Sequence, residues 1–122
     1  ERMTGFLCVG AGGALGAMLR YGISLIPYKG NIPVLTLVTN VLGALAIGYI
    51  AGTAAKRDVP ANMVLFLKTG VCRGFTTFST FSLEAYELLE NAEYVPAFLY
   101  MTLSVVLCLA GVALGMYAAE SI

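Results

Sequence analysis

Residues 70–81 read GVCRGFTTFSTF, with two glycines, one arginine, three phenylalanines and four hydroxyl side chains in twelve positions. Apolar sequence flanks this stretch on the N-terminal side and resumes beyond residue 94. Glycine, β-branched threonine and phenylalanine together are poor helix formers. A break in the helix is therefore expected here. At membrane depth, broken backbone is tolerated only where it is buried in protein or lines a cavity. Its freed carbonyls and amides then become ligands for ions. The rings of Phe75, Phe78 and Phe81 carry a positive edge. Ring edges beside the hydroxyls of Thr76, Thr77, Ser79, Thr80 and Ser82 would attract a small anion and replace its hydration shell.

Other polar groups lie where lipid would penalise them, at about 3 kcal/mol for a charge at a span centre. Arg20 falls toward the end of the first apolar run; it either snorkels to the headgroups, pairs with a carboxylate, or serves an ion path. Asn40 follows Thr36 and Thr39 at a spacing that puts all three on one helix face. It could be interhelical hydrogen-bond glue or an ion ligand. Tyr100 and Ser104 are one turn apart and could line a polar track. Glu84, Glu87, Glu90 and Glu93 recur every third residue, as a solvated helix end does. Glu84 is the deepest of them, and is placed for gating or for pairing with Arg20 or Lys68.

Positioning these residues takes an all-helical membrane fold. The chain of 122 residues is 59% hydrophobic and 11% charged, with a mean hydropathy of +0.86, whereas a soluble domain carries about 25% charged residues. Four apolar runs, roughly 3–26, 34–55, 62–87 and 95–118, are each long enough for a spanning helix of about 20 residues. Short polar links around Pro27–Pro33, Lys56–Pro60 and Asn91–Pro96 separate them. The reading is one four-helix transmembrane domain over residues 1–122, with the third helix broken mid-membrane. The first run is longer than a signal-peptide core and is read as a mature span. Gly12–Gly16, Gly48–Gly52, Gly70–Gly74 and Gly111–Gly115 have the spacing that lets helix backbones approach closely. Lys and Arg are almost balanced between the two sides, so orientation is undecided. Two copies of opposite orientation could then pair.

The composition also excludes. The net charge of zero argues against nucleic acid. The absence of histidine removes histidine triads and histidine metal sites. Cys8, Cys72 and Cys108 have no metal-ligand spacing and read as small apolar residues. No nucleophile–base pair is visible, so an enzyme is not expected.

The run GVCRGFTTFSTFSLE resembles the central signature of the Fluc/CrcB family of small fluoride channels. GAGGALGAMLRYG is similar to the first-helix signature of that family, and TLVTNVLGALAIG to the second, with Asn40 in place. Tyr100 and Ser104 fall where the family has pore-lining hydroxyls. The resemblance covers essentially the whole chain. It implies an antiparallel, dual-topology homodimer in the inner (plasma) membrane, or a heterodimer with a related chain. It also implies two pores that pass fluoride out of the cytoplasm passively. Carried over by position, Phe78 and Phe81 are the ring-edge pair and Asn40 donates to fluoride. Ser79 and Thr80, with Tyr100 and Ser104, form the polar track. Glu84 sits near one end of it, and Arg20 near the vestibule.

One position departs from the pattern. The resemblance implies a central sodium ion at the dimer interface, held by the backbone carbonyls at the positions of Arg73 and Thr76, where the family has glycine and threonine. The guanidinium of Arg73 is expected to replace that sodium as a tethered cation. The alternatives are a partner chain that keeps the glycine, or an arginine that impairs conduction. The rival function is a proton-coupled exporter of the small multidrug resistance kind, also a four-helix dual-topology dimer. It needs a membrane-embedded glutamate in the first helix, where this chain has Arg20. A structural subunit of a membrane complex would leave the hydroxyls and Arg73 unexplained.

Overall fold

The computed structural model describes residues 2–121. They form helices α1 (Arg2–Ser24), α2 (Val34–Lys56), α3 (Ala61–Val64), α4 (Arg73–Phe75), α5 (Phe78–Glu90) and α6 (Tyr94–Ser121). A π-helical stretch, Leu65–Cys72, joins α3 to α4. No strand occurs among the described residues. By length and composition, α1, α2 and α6 can each cross a membrane. The 62–87 run is divided: helical geometry stops at Phe75, Thr76 and Thr77 are extended, and α5 begins at Phe78.

The division has local causes. The backbone amide and hydroxyl of Thr76 both donate to the Cys72 carbonyl, at 3.0 Å each, closing the last turn. The Thr77 hydroxyl accepts from the Thr80 amide at 3.1 Å and so caps α5; such caps are worth about 1 kcal/mol. One residue ends a helix and the next begins another. At the far end of α5 the chain turns through Ala92 in the left-handed region, φ 60°. The Glu93 amide there donates to the Leu88 carbonyl, satisfying the helix terminus.

Helices pack in two pairs, each along a glycine seam. In the first, Gly12 and Gly16 of α1 lie against the backbone of the π-helical stretch and of α4, while Gly70 and Gly74 face Gly12 and Gly13 in return. A Cβ on Gly70 would sit 2.8 Å from the Gly12 Cα, and one on Gly74 would sit 2.5 Å from the Gly13 carbonyl oxygen. In the second, Gly48 and Gly115 bring the α2 and α6 backbones together, with Ala44 against Gly111 and Ala119 against Gly52. Small residues allow this closeness, and in lipid it is a main source of helix association. Lys56 ties off the second pair: its Nζ donates to the carbonyls of Ala119 (3.3 Å) and Glu120 (2.6 Å) at the end of α6.

Candidate functional site: the Thr76–Thr77 break and its two cavities

The break is held from two sides. From α2, Asn40 clamps Thr77 at two points: Nδ2 donates to the Thr77 carbonyl (3.1 Å), and Oδ1 accepts from the Thr77 amide (2.8 Å). From α1, Arg20 Nε donates to the Gly74 carbonyl at 3.1 Å. Gly43 passes directly beneath the Thr76 methyl, where a Cβ would leave no room. A carboxamide suits the clamp because it offers a donor and an acceptor in one plane. The second Nδ2 hydrogen of Asn40 is not used on Thr77.

Three carbonyls of the break stay free. Those of Arg73, Phe75 and Thr76 accept no backbone or side-chain hydrogen bond among the described residues. The Arg73 side chain is exposed and has neither hydrogen-bond nor ion-pair partner among the described residues.

Beyond the break an aromatic row runs into the molecule. Phe78 and Phe81 have ring centroids 5.5 Å apart at 44°, and Phe81 and Tyr100 5.1 Å apart at 51°. These tilted arrangements turn ring edges toward neighbouring faces. Phe78 is 78% exposed and Tyr100 fully buried, so the row leads from surface to core. A cavity of about 460 Å³ borders it, lined by residues that include Asn40, Thr77, Phe78, Phe81 and Ser104. The Ser104 hydroxyl is buried and has no hydrogen-bond partner. Among the described residues no carboxylate and no basic side chain lines this cavity.

Tyr100 ends the row at a carboxylate. Its hydroxyl donates to Glu84 Oε1 (2.9 Å), and Thr36 Oγ1 donates to Glu84 Oε2 (3.0 Å). Glu84 therefore joins α2, α5 and α6 through two neutral hydroxyls; neither Arg20 nor Lys68 pairs with it. Of the alternatives open for Arg20 in the sequence, a carboxylate partner is not found among the described residues; its acceptor is the Gly74 carbonyl of the break. Glu84→Gln leaves one hydroxyl facing a donor, at a cost of about 1 kcal/mol. The expected result is a thermal midpoint in detergent lowered by about 4 °C. Adding Thr36→Val to that background should then lower it by less than Thr36→Val does alone. Additive losses in the double variant would dissolve the triad.

A second cavity, of about 260 Å³, opens between α1, α2 and the start of α5, lined by Arg20, Thr36, Thr39, Thr77 and Thr80 among others. The sequence-derived residues thus divide. Asn40, Phe78, Phe81 and Ser104 share the first cavity, while Arg20 and Thr80 share the second. Ser79 lies on the exposed side with its Oγ 3.4 Å from Thr77 Oγ1, away from Tyr100 and Ser104. Cys72 and Cys108 were read as packing residues, and both line the first cavity. Nothing in their spacing, on separate helices 36 positions apart, marks that neighbourhood.

An interrupted helix, clamped by side chains from its neighbours and flanked by ring edges and hydroxyls, defines a small helical membrane protein of the ion-passage class. Sequence comparison gives the family. A family model described as CrcB-like protein, Camphor Resistance (CrcB), matches residues 7–116. The chain is 45% identical, over 91% of its length and 92% of the relative's, to a protein of Methylobacterium sp. (strain 4-46) named fluoride-specific ion channel FluC. A protein of the same name from Hyphomonas neptunium is 42% identical over 98% of both chains. Another, from Methanococcus maripaludis, is 41% identical over 95% of this chain and 96% of the relative. The chain belongs to the CrcB family.

Proposed function

We propose that this chain is a fluoride-selective channel that lets fluoride leave the cytoplasm passively through the inner membrane. Its relatives' shared name supports the substrate. The observation that carries the reading in this chain is the first cavity: the Asn40 amide, hydroxyl side chains and the Phe78 and Phe81 rings surround it, and among the described residues no carboxylate lies in its wall. Fluoride is small and strongly hydrated, so a path for it must offer donors close together. In this proposal the unused Asn40 N–H and the Ser104 hydroxyl are the donors at the first cavity. The Thr80 hydroxyl belongs to the second cavity and Ser79 to the exposed mouth, and Tyr100, whose hydroxyl donates to Glu84, closes the inner end of the track. Arg20 raises the anion concentration at the mouth of the second cavity, and Glu84 holds Tyr100 at the end of the track. The protein is not an enzyme.

In the same reading residues 1–122 form one domain of four spans, the third being the interrupted run 62–87. Two copies lie antiparallel, because a balanced charge distribution permits both orientations. Such pairing covers the exposed Phe78 and the open side of the cavity, and gives two pores per dimer. A proton-coupled exporter is disfavoured, because α1 carries no acidic residue from Arg2 to Ser24.

The test is efflux from liposomes containing the purified protein, read with a fluoride electrode in sodium-free buffer and with a chloride electrode in parallel. Rapid fluoride efflux without chloride efflux is expected. Equal passage of both ions would refute selectivity, and no efflux in either sodium-free or sodium buffer would refute the channel.

A further inference from the structure

We propose that Arg73 of one copy caps the free carbonyls of the break in a second copy, and that this contact makes the pair of chains independent of a bound sodium ion. The inference rests on the two-copy arrangement proposed above.

Five carbonyls sit at the break, from Arg73 to Thr77, and two are already served: Gly74 by Arg20 and Thr77 by Asn40. Those of Arg73, Phe75 and Thr76 are not served among the described residues. In a membrane an unpaired carbonyl has no water to turn to, so it must find a donor in protein. Beside them in sequence stands an exposed donor without an acceptor among the described residues, the Arg73 guanidinium. It remains charged at every relevant pH and presents five N–H groups. Its acceptor is not a carboxylate. Glu84 is engaged by Thr36 and Tyr100, and the other acidic residues lie in links and at helix ends. Neutral backbone oxygen is what remains at this depth.

A two-fold pairing satisfies both shortages at once, since each surface meets its own copy and every contact occurs twice. The guanidinium of each chain is drawn off the axis toward the carbonyls of the other, which separates the two like charges. Carbonyl oxygens of this kind would also suit a hard cation. A permanent charge on the residue that supplies one of them opposes a second cation in a low-dielectric interface. The residues present therefore do not fit a bound sodium beside Arg73.

The experiment measures the dimer dissociation constant by single-molecule photobleaching over a dilution series in liposomes. It compares sodium with N-methylglucamine for wild type, Arg73→Gly and Arg73→Lys. Wild type is expected to change less than twofold between the two cations. Arg73→Gly should dissociate at least tenfold more readily without sodium and recover when sodium is added. Arg73→Lys, which keeps the charge but loses the planar fork, should fall between them with no response to sodium. A tenfold sodium response in wild type overturns the inference, and so does an Arg73→Gly dimer as tight and sodium-indifferent as wild type. In both cases the two-copy reading survives. A wild-type chain that is monomeric in both cations sinks the two-copy reading and the capping together, and assigns this face to a different chain.

Discussion

Asn40→Ala should abolish nearly all fluoride efflux while leaving the protein folded enough to purify. The substitution removes both hydrogen bonds that hold Thr77. The Thr77 amide and carbonyl are then unpaired, at about 1–3 kcal/mol each. The break relaxes toward conformations that satisfy them elsewhere. A shift of about 3 kcal/mol corresponds to about a hundredfold in the population of the competent geometry. The donor facing the cavity is lost as well. Efflux from liposomes should therefore fall by about two orders of magnitude or more, with a monodisperse elution profile retained. Asn40→Asp should not rescue it, because a carboxylate cannot donate to the Thr77 carbonyl and places a negative charge on the anion path. Wild-type efflux from Asn40→Ala would remove the clamp from the mechanism.

Gly16→Val is the second substitution with a large expected effect, and it acts on folding. The new Cβ would collide with the Val71 carbonyl oxygen and lie 2.7 Å from the Phe75 amide nitrogen. These are backbone atoms, which cannot rotate away as a side chain can. Separating α1 from its partner also pulls Arg20 from the Gly74 carbonyl. Overpacking of this kind costs about 3 kcal/mol or more. The expected outcome is aggregation or loss of expression. Gly10→Ala is the control: its Cβ would meet nothing within 4 Å, and the better helix propensity of alanine makes it neutral or slightly stabilising, by up to about 1 kcal/mol. Equal behaviour of the two variants would show that the seam tolerates separation.

Much of this was legible in the sequence because lipid makes polar residues conspicuous. Asn40, Tyr100, Ser104 and Glu84 stand out as misfits in apolar runs, and the run from Gly70 to Phe81 reads as poor helix. The glycine spacings at Gly12–Gly16 and Gly48–Gly52 lie at backbone contacts, although spacing alone cannot say which helix meets which. The partners of the polar groups were not legible. Whether Glu84 takes Arg20, Lys68 or Tyr100 depends on the rotation of α5 about its axis, and no residue type fixes that. The function of Thr77 was hidden for a related reason. One threonine among four hydroxyl residues becomes the cap of α5 only because Asn40 holds its backbone extended. The π-helical stretch before the break left no mark either, since its extra residue per turn comes from packing against α1.

The glycine seams carry a further consequence. At Gly12, Gly16, Gly48, Gly74 and Gly115 the nearest atom to an added Cβ is a carbonyl oxygen, of Phe66, Val71, Val112, Gly13 and Leu45 respectively. In the native chain that approach points carbonyl dipoles at glycine Cα–H groups. Weak Cα–H···O bonds of this sort contribute about 0.5–1 kcal/mol each. Unlike burial of apolar area, they do not depend on expelling water, and so they keep their strength in a solvent of acyl chains. A chain with no ion pair among its described residues thus draws part of its cohesion from its own peptide dipoles. Its cohesion should resist salt and yield first to solvents that compete for carbonyl oxygen.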